Sequence, residues 1–247
     1  MPSPTAAAPA AIDPAAEIAG RVQRTKRRVA RQRKLARAEG MMQGLLRLLG
    51  PGDVAVDCGA NVGAVSERFA ATGAAVLALE PDPVAFRALR ARIGDAPGVH
   101  LVNAAAGTAA GRAVLHRSAR FDDDPLAGTV GSTLVEGVRA AEVGTGVGVE
   151  VEVVDLPATL GALLDGRAPD VAPGLAPGRL ALLKMDVEGA EIALLRALHA
   201  RGLLARIPAT VVETHERKFP ALRGDFAALR REMAEAFPDG RVFLDWV

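Results

Sequence analysis

Tyrosine is missing from this chain, and seven Phe and one Trp are the only other aromatics among 247 residues. Recognition by stacking, as when an enzyme holds an extruded nucleobase, has little to work with. The single cysteine, Cys58, excludes an internal disulfide framework. No run approaches the ~20 consecutive apolar residues that cross a bilayer. The opening MPSPTAAAPAAIDPAAEIAG has no basic segment ahead of a firm apolar stretch, so it does not read as a secretory signal. These absences point to a soluble, cytoplasmic protein.

Acidic residues are absent from one stretch in particular. Residues 21–37, RVQRTKRRVARQRKLAR, hold nine Lys/Arg and no acid, so the rest of the chain carries a net −8 against +1 for the whole. Two readings fit this arm: contact with an anionic partner (nucleic acid, anionic lipid or an acidic carrier protein), or a solvated helix, the commoner fate of a charge run. The Ala/Pro-rich residues 1–16 cannot form a core and are expected to lack structure. We therefore divide the chain into a tail and basic helical arm, 1–40, and a folded domain, 41–247.

What is present is globular: apolar residues make up 50% and charged residues 24%. From Asp53 the punctuation becomes regular. DVAVD (53–57), AAVLALE (74–80) and VHLVN (99–103) read as buried strands. GANVGAVSERFAATG (59–73) reads as a turn and a helix. Asp82 and Pro83 read as N-cap and first residue of a helix burying Phe86, Leu89 and Ile93. RAVLHR (112–117) and VEVEVVDL (149–156) are further strands, and the Pro/Gly-rich residues 166–178 a loop. Strand 179–186, helix 188–202, strand 209–215, helix 226–237 and a last strand, RVFLDWV, complete the chain. Continuous apolar strands alternating with helices predict an α/β fold, a Rossmann-like, doubly wound, mostly parallel sheet.

In such a sheet ligands sit beyond the carboxyl ends of the strands. The first strand runs into Asp57-Cys58-Gly59-Ala60-Asn61-Val62-Gly63, where two glycines permit a tight turn and close backbone approach. Glu80 closes the second strand, 21 residues after Gly59, where a carboxylate can accept both hydroxyls of a ribose. Asn103 closes the third, within reach of an adenine edge. A dinucleotide fingerprint wants glycine where Asn61 stands, because a side chain there crowds the pyrophosphate. S-adenosylmethionine has no phosphate. We expect it here, with Asp57 near its ammonium, Gly59 against its sulfonium arm and Asn61 near its carboxylate.

The next two strands end in LLKMDVEGAE (182–191) and VVETH (211–215). Lys184 and Asp186 lie two apart and share a face, interrupting an apolar strand where unpaired charge is costly. They either pair with each other or serve chemistry. Glu213 and His215 repeat the spacing. Glu188 and Glu191 have an ordinary explanation, since acids favour a helix N-terminus.

VDCGANVGAVS, LALEPDP, NAAAG, LLKMDVEGAEIALL and VVETH together resemble the FkbM family of S-adenosylmethionine-dependent methyltransferases, over about residues 45–216 and in the family's order. The resemblance implies O-methylation of a hydroxyl on a natural product or a sugar of a glycan. It implies Asp57, Gly59, Asn61, Gly63 and Glu80 as cofactor residues, and Lys184, Asp186, Glu188 and Glu213 as a polar substrate-side cluster. It also places Gly131-Ser132-Thr133 in a loop near the cofactor. The arm at 1–40 has no counterpart there, and the fold usually adds an antiparallel strand beyond the last one present.

Methyl transfer is an in-line displacement at a sulfonium carbon, and a base near the acceptor oxygen helps a poorly nucleophilic alcohol. We expect Asp186 to orient or deprotonate the acceptor, assisted by His215 or Glu213, with Lys184 in the same cluster. No metal is assigned; Mg²⁺ held by Asp186, Glu188 and Glu213 ranks second. A nucleic-acid methyltransferase and a catalytically silent binding module are the rival readings.

Overall fold

The computed structural model describes residues 14–118, 121, 123–129, 132–134 and 148–246. They fall into two units, divided after Gln43. In the first, helix α1 (Pro14–Leu46) carries the basic stretch, and residues 21–37 are exposed throughout. Of the tail expected to lack structure, residues 1–13 lie outside the described residues, and residues 14–16 open the helix.

The second unit is built on strand β1 (Asp53–Cys58), whose six residues are all buried, as a strand covered on both faces must be. Helix α2 (Ala64–Ala70) returns the chain to β2 (Ala75–Leu79). Asp82 then caps α3 (Pro83–Ile93): its carboxylate accepts from the Val84 amide at 2.7 Å, and Pro83 lacks the N–H that would go unused there. Ala85, rather than the expected Phe86, joins Leu89 and Ile93 on the buried face. After β3 (Val99–Val102) the chain leaves this sheet. Strands β4 (Ala105–Gly107), β5 (Gly111–Leu115) and β6 (Val149–Asp155) form a separate sheet ordered β4-β6-β5.

Helix α4 (Leu156–Leu164) leads back to β7 (Arg179–Met185), followed by α5 (Glu191–Ala200), β8 (Ala209–Val212), α6 (Arg223–Ala236) and β9 (Val242–Phe243). The main sheet runs β3-β2-β1-β7-β8-β9, and each neighbouring pair is parallel. The last strand therefore pairs directly with β8 and is shorter than the expected 241–247; Val247 lies outside the described residues. Helices cover the sheet, and Val56, Leu77, Leu183, Leu195 and Phe226 belong to one apolar cluster. The strand order reverses between β1 and β7, so the crevice at the carboxyl ends of these two strands is where a ligand site belongs.

Candidate active site

A cavity of about 190 Å³ opens at that switch point. Gly59 and Asn61 approach it from the end of β1, Glu80 and Pro81 from β2, and Asp186, Val187, Glu188 and Ala190 from the turn after β7. Ala105, Ala106 and Leu115 of the small sheet and Thr129, Ser132 and Leu134 close the far side. Gly131 of the expected loop lies outside the described residues.

Gly59 is required by packing. Its φ is +78°, and a Cβ there would stand 1.8 Å from the Asp186 carbonyl oxygen, so the ends of β1 and β7 close up only over glycine. Gly63, at φ +84°, starts α2, and a Cβ would meet Leu89 at 2.7 Å. Among the described residues, two non-glycines have positive φ, Asn61 at +49° and Glu188 at +51°, and both line the cavity. Backbone held in this sparsely populated region tends to gather at functional sites.

Asp57 is not at the cavity. Its carboxylate is fully buried, accepts from Ser66 Oγ at 2.6 Å and faces Lys184 Nζ at 3.0 Å. It lies beneath the turn that carries Gly59 rather than in the cavity lining. Lys184 is likewise buried: its ammonium also donates to the Gly59 carbonyl at 2.8 Å and lies 3.8 Å from Asp186 Oδ2. Burial alone would push this ammonium's pKa down, but Asp57 and Asp186 outweigh that and raise it. Its main carboxylate partner is thus Asp57 on the adjacent strand rather than Asp186, just past the end of its own.

Glu80 does reach the cavity. Its two carboxylate oxygens accept the Asn61 and Asp82 amides, each at 2.8 Å. Burial nevertheless pushes its carboxyl up to about 7. Asn61 anchors its own turn, accepting from the Val62 amide at 2.8 Å and donating to Thr129 Oγ1 at 3.2 Å. The Asn103 amide donates to the carbonyls of Glu80 and Pro81, at 2.8 and 3.1 Å, so it shapes the wall from outside the lining.

The other end of the cavity is a cluster of ionisable groups. β8 stops at Val212, so Glu213 and His215 sit in the turn beyond it rather than on the expected strand. Helix α5 starts only at Glu191, so Glu188 belongs to a turn, where Thr133 Oγ1 donates to its carbonyl. His215 Nδ1 lies 2.7 Å from Oε1 of Glu191, a fully buried carboxylate whose oxygens both accept the Gly189 amide at 3.0 Å. The other ring nitrogen, Nε2, faces Glu188 Oε2 at 3.2 Å and Asp186 Oδ1 at 3.5 Å. Burial alone would lower the imidazole's pKa, but Glu191, Glu188 and Asp186 raise it to about 9. Burial, followed by the nearby charge of Asp186, lifts the Glu213 carboxyl to about 7. Lys218 reaches Glu188 Oε2 at 3.1 Å.

Asp186, Glu188 and His215 each offer one ligand atom within 4.8 Å of the others, so the trio able to share a metal contains His215 where Glu213 was expected. Sequence reasoning overlooked Lys218, placed Thr133 only in a loop near the cofactor, and gave Glu191 only the ordinary role of an acid at a helix start.

No helix among the described residues is long and apolar enough to cross a membrane. Neither the curated proteins nor the solved structures compared with this chain give a match. The Methyltransferase FkbM domain, in contrast, matches residues 57–237, a span that contains the Gly59 turn, Glu80, the Asp186 turn and His215. The α/β sheet with its cavity at the switch point and this match agree: the chain belongs to the FkbM methyltransferase family.

Proposed function

We propose that the protein is an S-adenosylmethionine-dependent O-methyltransferase acting, in the cytoplasm, on a hydroxyl of a natural product or of a sugar. The observation that carries this reading is the charge of the cavity. Its described lining holds three carboxylates, Glu80, Asp186 and Glu188, and no lysine or arginine. A pyrophosphate would be repelled there, whereas a ligand with a sulfonium and an ammonium would be attracted. Glu80 is left with acceptor capacity for ribose hydroxyls after taking its two backbone amides. When bound, S-adenosylmethionine supplies an electrophilic methyl group.

The residues at the opposite end hold the acceptor. Asp186 would take the hydroxyl proton as the acceptor oxygen bonds to the methyl carbon and that carbon's bond to sulfur breaks, leaving a neutral thioether, while His215, fixed through Nδ1 by Glu191, faces the Asp186 carboxylate at 3.5 Å. A second cavity of about 550 Å³ shares Ala106, Leu134 and Ala190 with the first and gives the body of the acceptor room. The basic face of α1 is read as a site for an anionic partner.

Calorimetric titration with S-adenosylmethionine and with NAD tests the donor: binding of the first alone is expected, and binding of NAD alone overturns the proposal. Turnover on a panel of sugars and hydroxylated metabolites tests the acceptor class. Methyl transfer to nucleic acid in place of all of them overturns that part.

A further inference from the structure

The geometry points to a divalent transition-metal site made by His215 Nε2, Asp186 Oδ1 and Glu188 Oε2 at the acceptor end of the cavity. The inference rests on reading this end as the place where the acceptor hydroxyl sits. Three observations support it.

The first is spacing. Nε2 stands 3.2 Å from the Glu188 oxygen and 3.5 Å from the Asp186 oxygen. Adjacent ligands on a six-coordinate ion with bonds of ~2.1–2.3 Å lie ~3.0–3.3 Å apart. Both nitrogen–oxygen separations need only small adjustments to fit one ion, and one ligand atom from each of the three residues lies within 4.8 Å of the others.

The second is what lies behind the histidine. A metal-binding imidazole characteristically donates its other N–H to a carboxylate, which fixes the ring and raises its basicity. Glu191 performs that role here. It is fully buried, it holds Nδ1 at 2.7 Å, and the Gly189 amide pins both of its oxygens. A carboxylate placed only to favour a helix start would have no reason to be buried against an imidazole.

The third is an unmet acceptor. Asp186 Oδ1 is buried and has no hydrogen-bond partner, although it faces the centre of the trio. Such an oxygen calls for a proton donor or a cation. Asp186, Glu188, Glu191 and Glu213 surround the site, against Lys218, Lys184, which is engaged by Asp57, and the protonated His215, whose Nε2 proton an entering ion would displace. A divalent cation would balance that excess of negative charge.

One imidazole with two carboxylates suits Mn²⁺, Fe²⁺, Co²⁺ or Zn²⁺ better than Mg²⁺, which prefers an all-oxygen shell. With the acceptor oxygen at an open position, the ion would lower the hydroxyl's pKa. Lys218 competes for Glu188 Oε2 and must withdraw for the ion to enter.

The test is a calorimetric titration of Mn²⁺ into chelator-treated, full-length protein without S-adenosylmethionine, with Mn²⁺ electron paramagnetic resonance as a second readout. The parent is expected to show one saturable site that takes Mn²⁺ in preference to Mg²⁺. Glu188→Gln and His215→Asn are expected to abolish it. Glu191→Gln, which cannot touch the ion, should weaken it by ~10–100-fold. Lys218→Met should tighten it, an outcome that a merely structural cluster would not give. Circular dichroism of each variant establishes that it is folded. No saturable Mn²⁺ site in the parent, or a site unchanged in folded His215→Asn and Glu188→Gln, overturns the inference. S-adenosylmethionine titrated into the same samples tests the donor reading separately, so either can fail alone.

Discussion

Lys184 on β7 and Asp57 on β1 form a buried ion pair, Nζ to Oδ1 3.0 Å, beneath the turn that carries Gly59. Removing one partner of such a pair leaves a charge without compensation. Lys184→Met should therefore cost about 3–5 kcal/mol of stability in urea unfolding. Adding Asp57→Asn should restore most of it, because Ser66 still donates to that side chain. Adding Asp186→Leu should not. Equal rescue by both second changes would show that Lys184 serves the two carboxylates alike.

This pair also marks the boundary of what could be read from the sequence. Alternation along a strand revealed that Lys184 and Asp186 share a face, but which residue of the next strand lies alongside is set by register. The β1–β7 pairing sets Asp57 opposite Lys184, and no local pattern encodes that choice. The parallel sheet itself was legible because its strands are mostly apolar runs and the turns between them are punctuated by Gly, Asp or Pro. Glu80 was legible because it ends a strand at a fixed distance from a glycine turn. Glu191 was not, since an acid at a helix start has an ordinary explanation, and its bond to His215 spans 24 residues.

Glu80 should couple S-adenosylmethionine binding to pH. Its carboxyl is raised to about 7, chiefly by burial, and ribose hydroxyls donating to it favour the ionised form. Affinity should increase as pH rises through about 7, where the free site gives up that proton. Glu80→Gln points a donor at the Asn61 or Asp82 amide and should weaken binding by ~1–3 kcal/mol. It should also remove the pH dependence. Calorimetry across that range in parent and variant checks both, and a parent affinity that falls with rising pH contradicts the placement.

The domain should lose stability with rising pH across the neutral range. Glu213, raised from 4.5 to about 7, holds a proton in the folded state that the unfolded chain has already lost between those values. Glu80, raised over the same interval, acts in the same direction. His215 is raised from 6.5 to about 9, so its contribution is complete below 6.5 and disappears as pH climbs through about 9. Melting temperature should fall through both windows. Glu213→Gln should flatten the lower window and His215→Asn the upper. A parent that grows more stable from pH 5 to 9 would mean that these groups are not held as described.

Asp186→Asn separates chemistry from architecture. The substitution keeps the shape of the side chain but removes its capacity to take a proton. If Asp186 accepts the hydroxyl proton, turnover should fall ~100-fold or more, the scale of a lost general base. Melting temperature should stay near that of the parent, because Lys184 lies closer to Asp57, at 3.0 Å, than to Asp186, at 3.8 Å. S-adenosylmethionine affinity should fall far less than turnover, since Glu80, Glu188 and the β1 turn remain. A metal-assisted reaction leaves a different mark: Mn²⁺ binding would drop with turnover, and chelation of the parent would reproduce the defect until Mn²⁺ is returned. Turnover unchanged in a variant that melts and binds cofactor normally would remove Asp186 from the reaction and leave His215 and Glu213 as the groups to test.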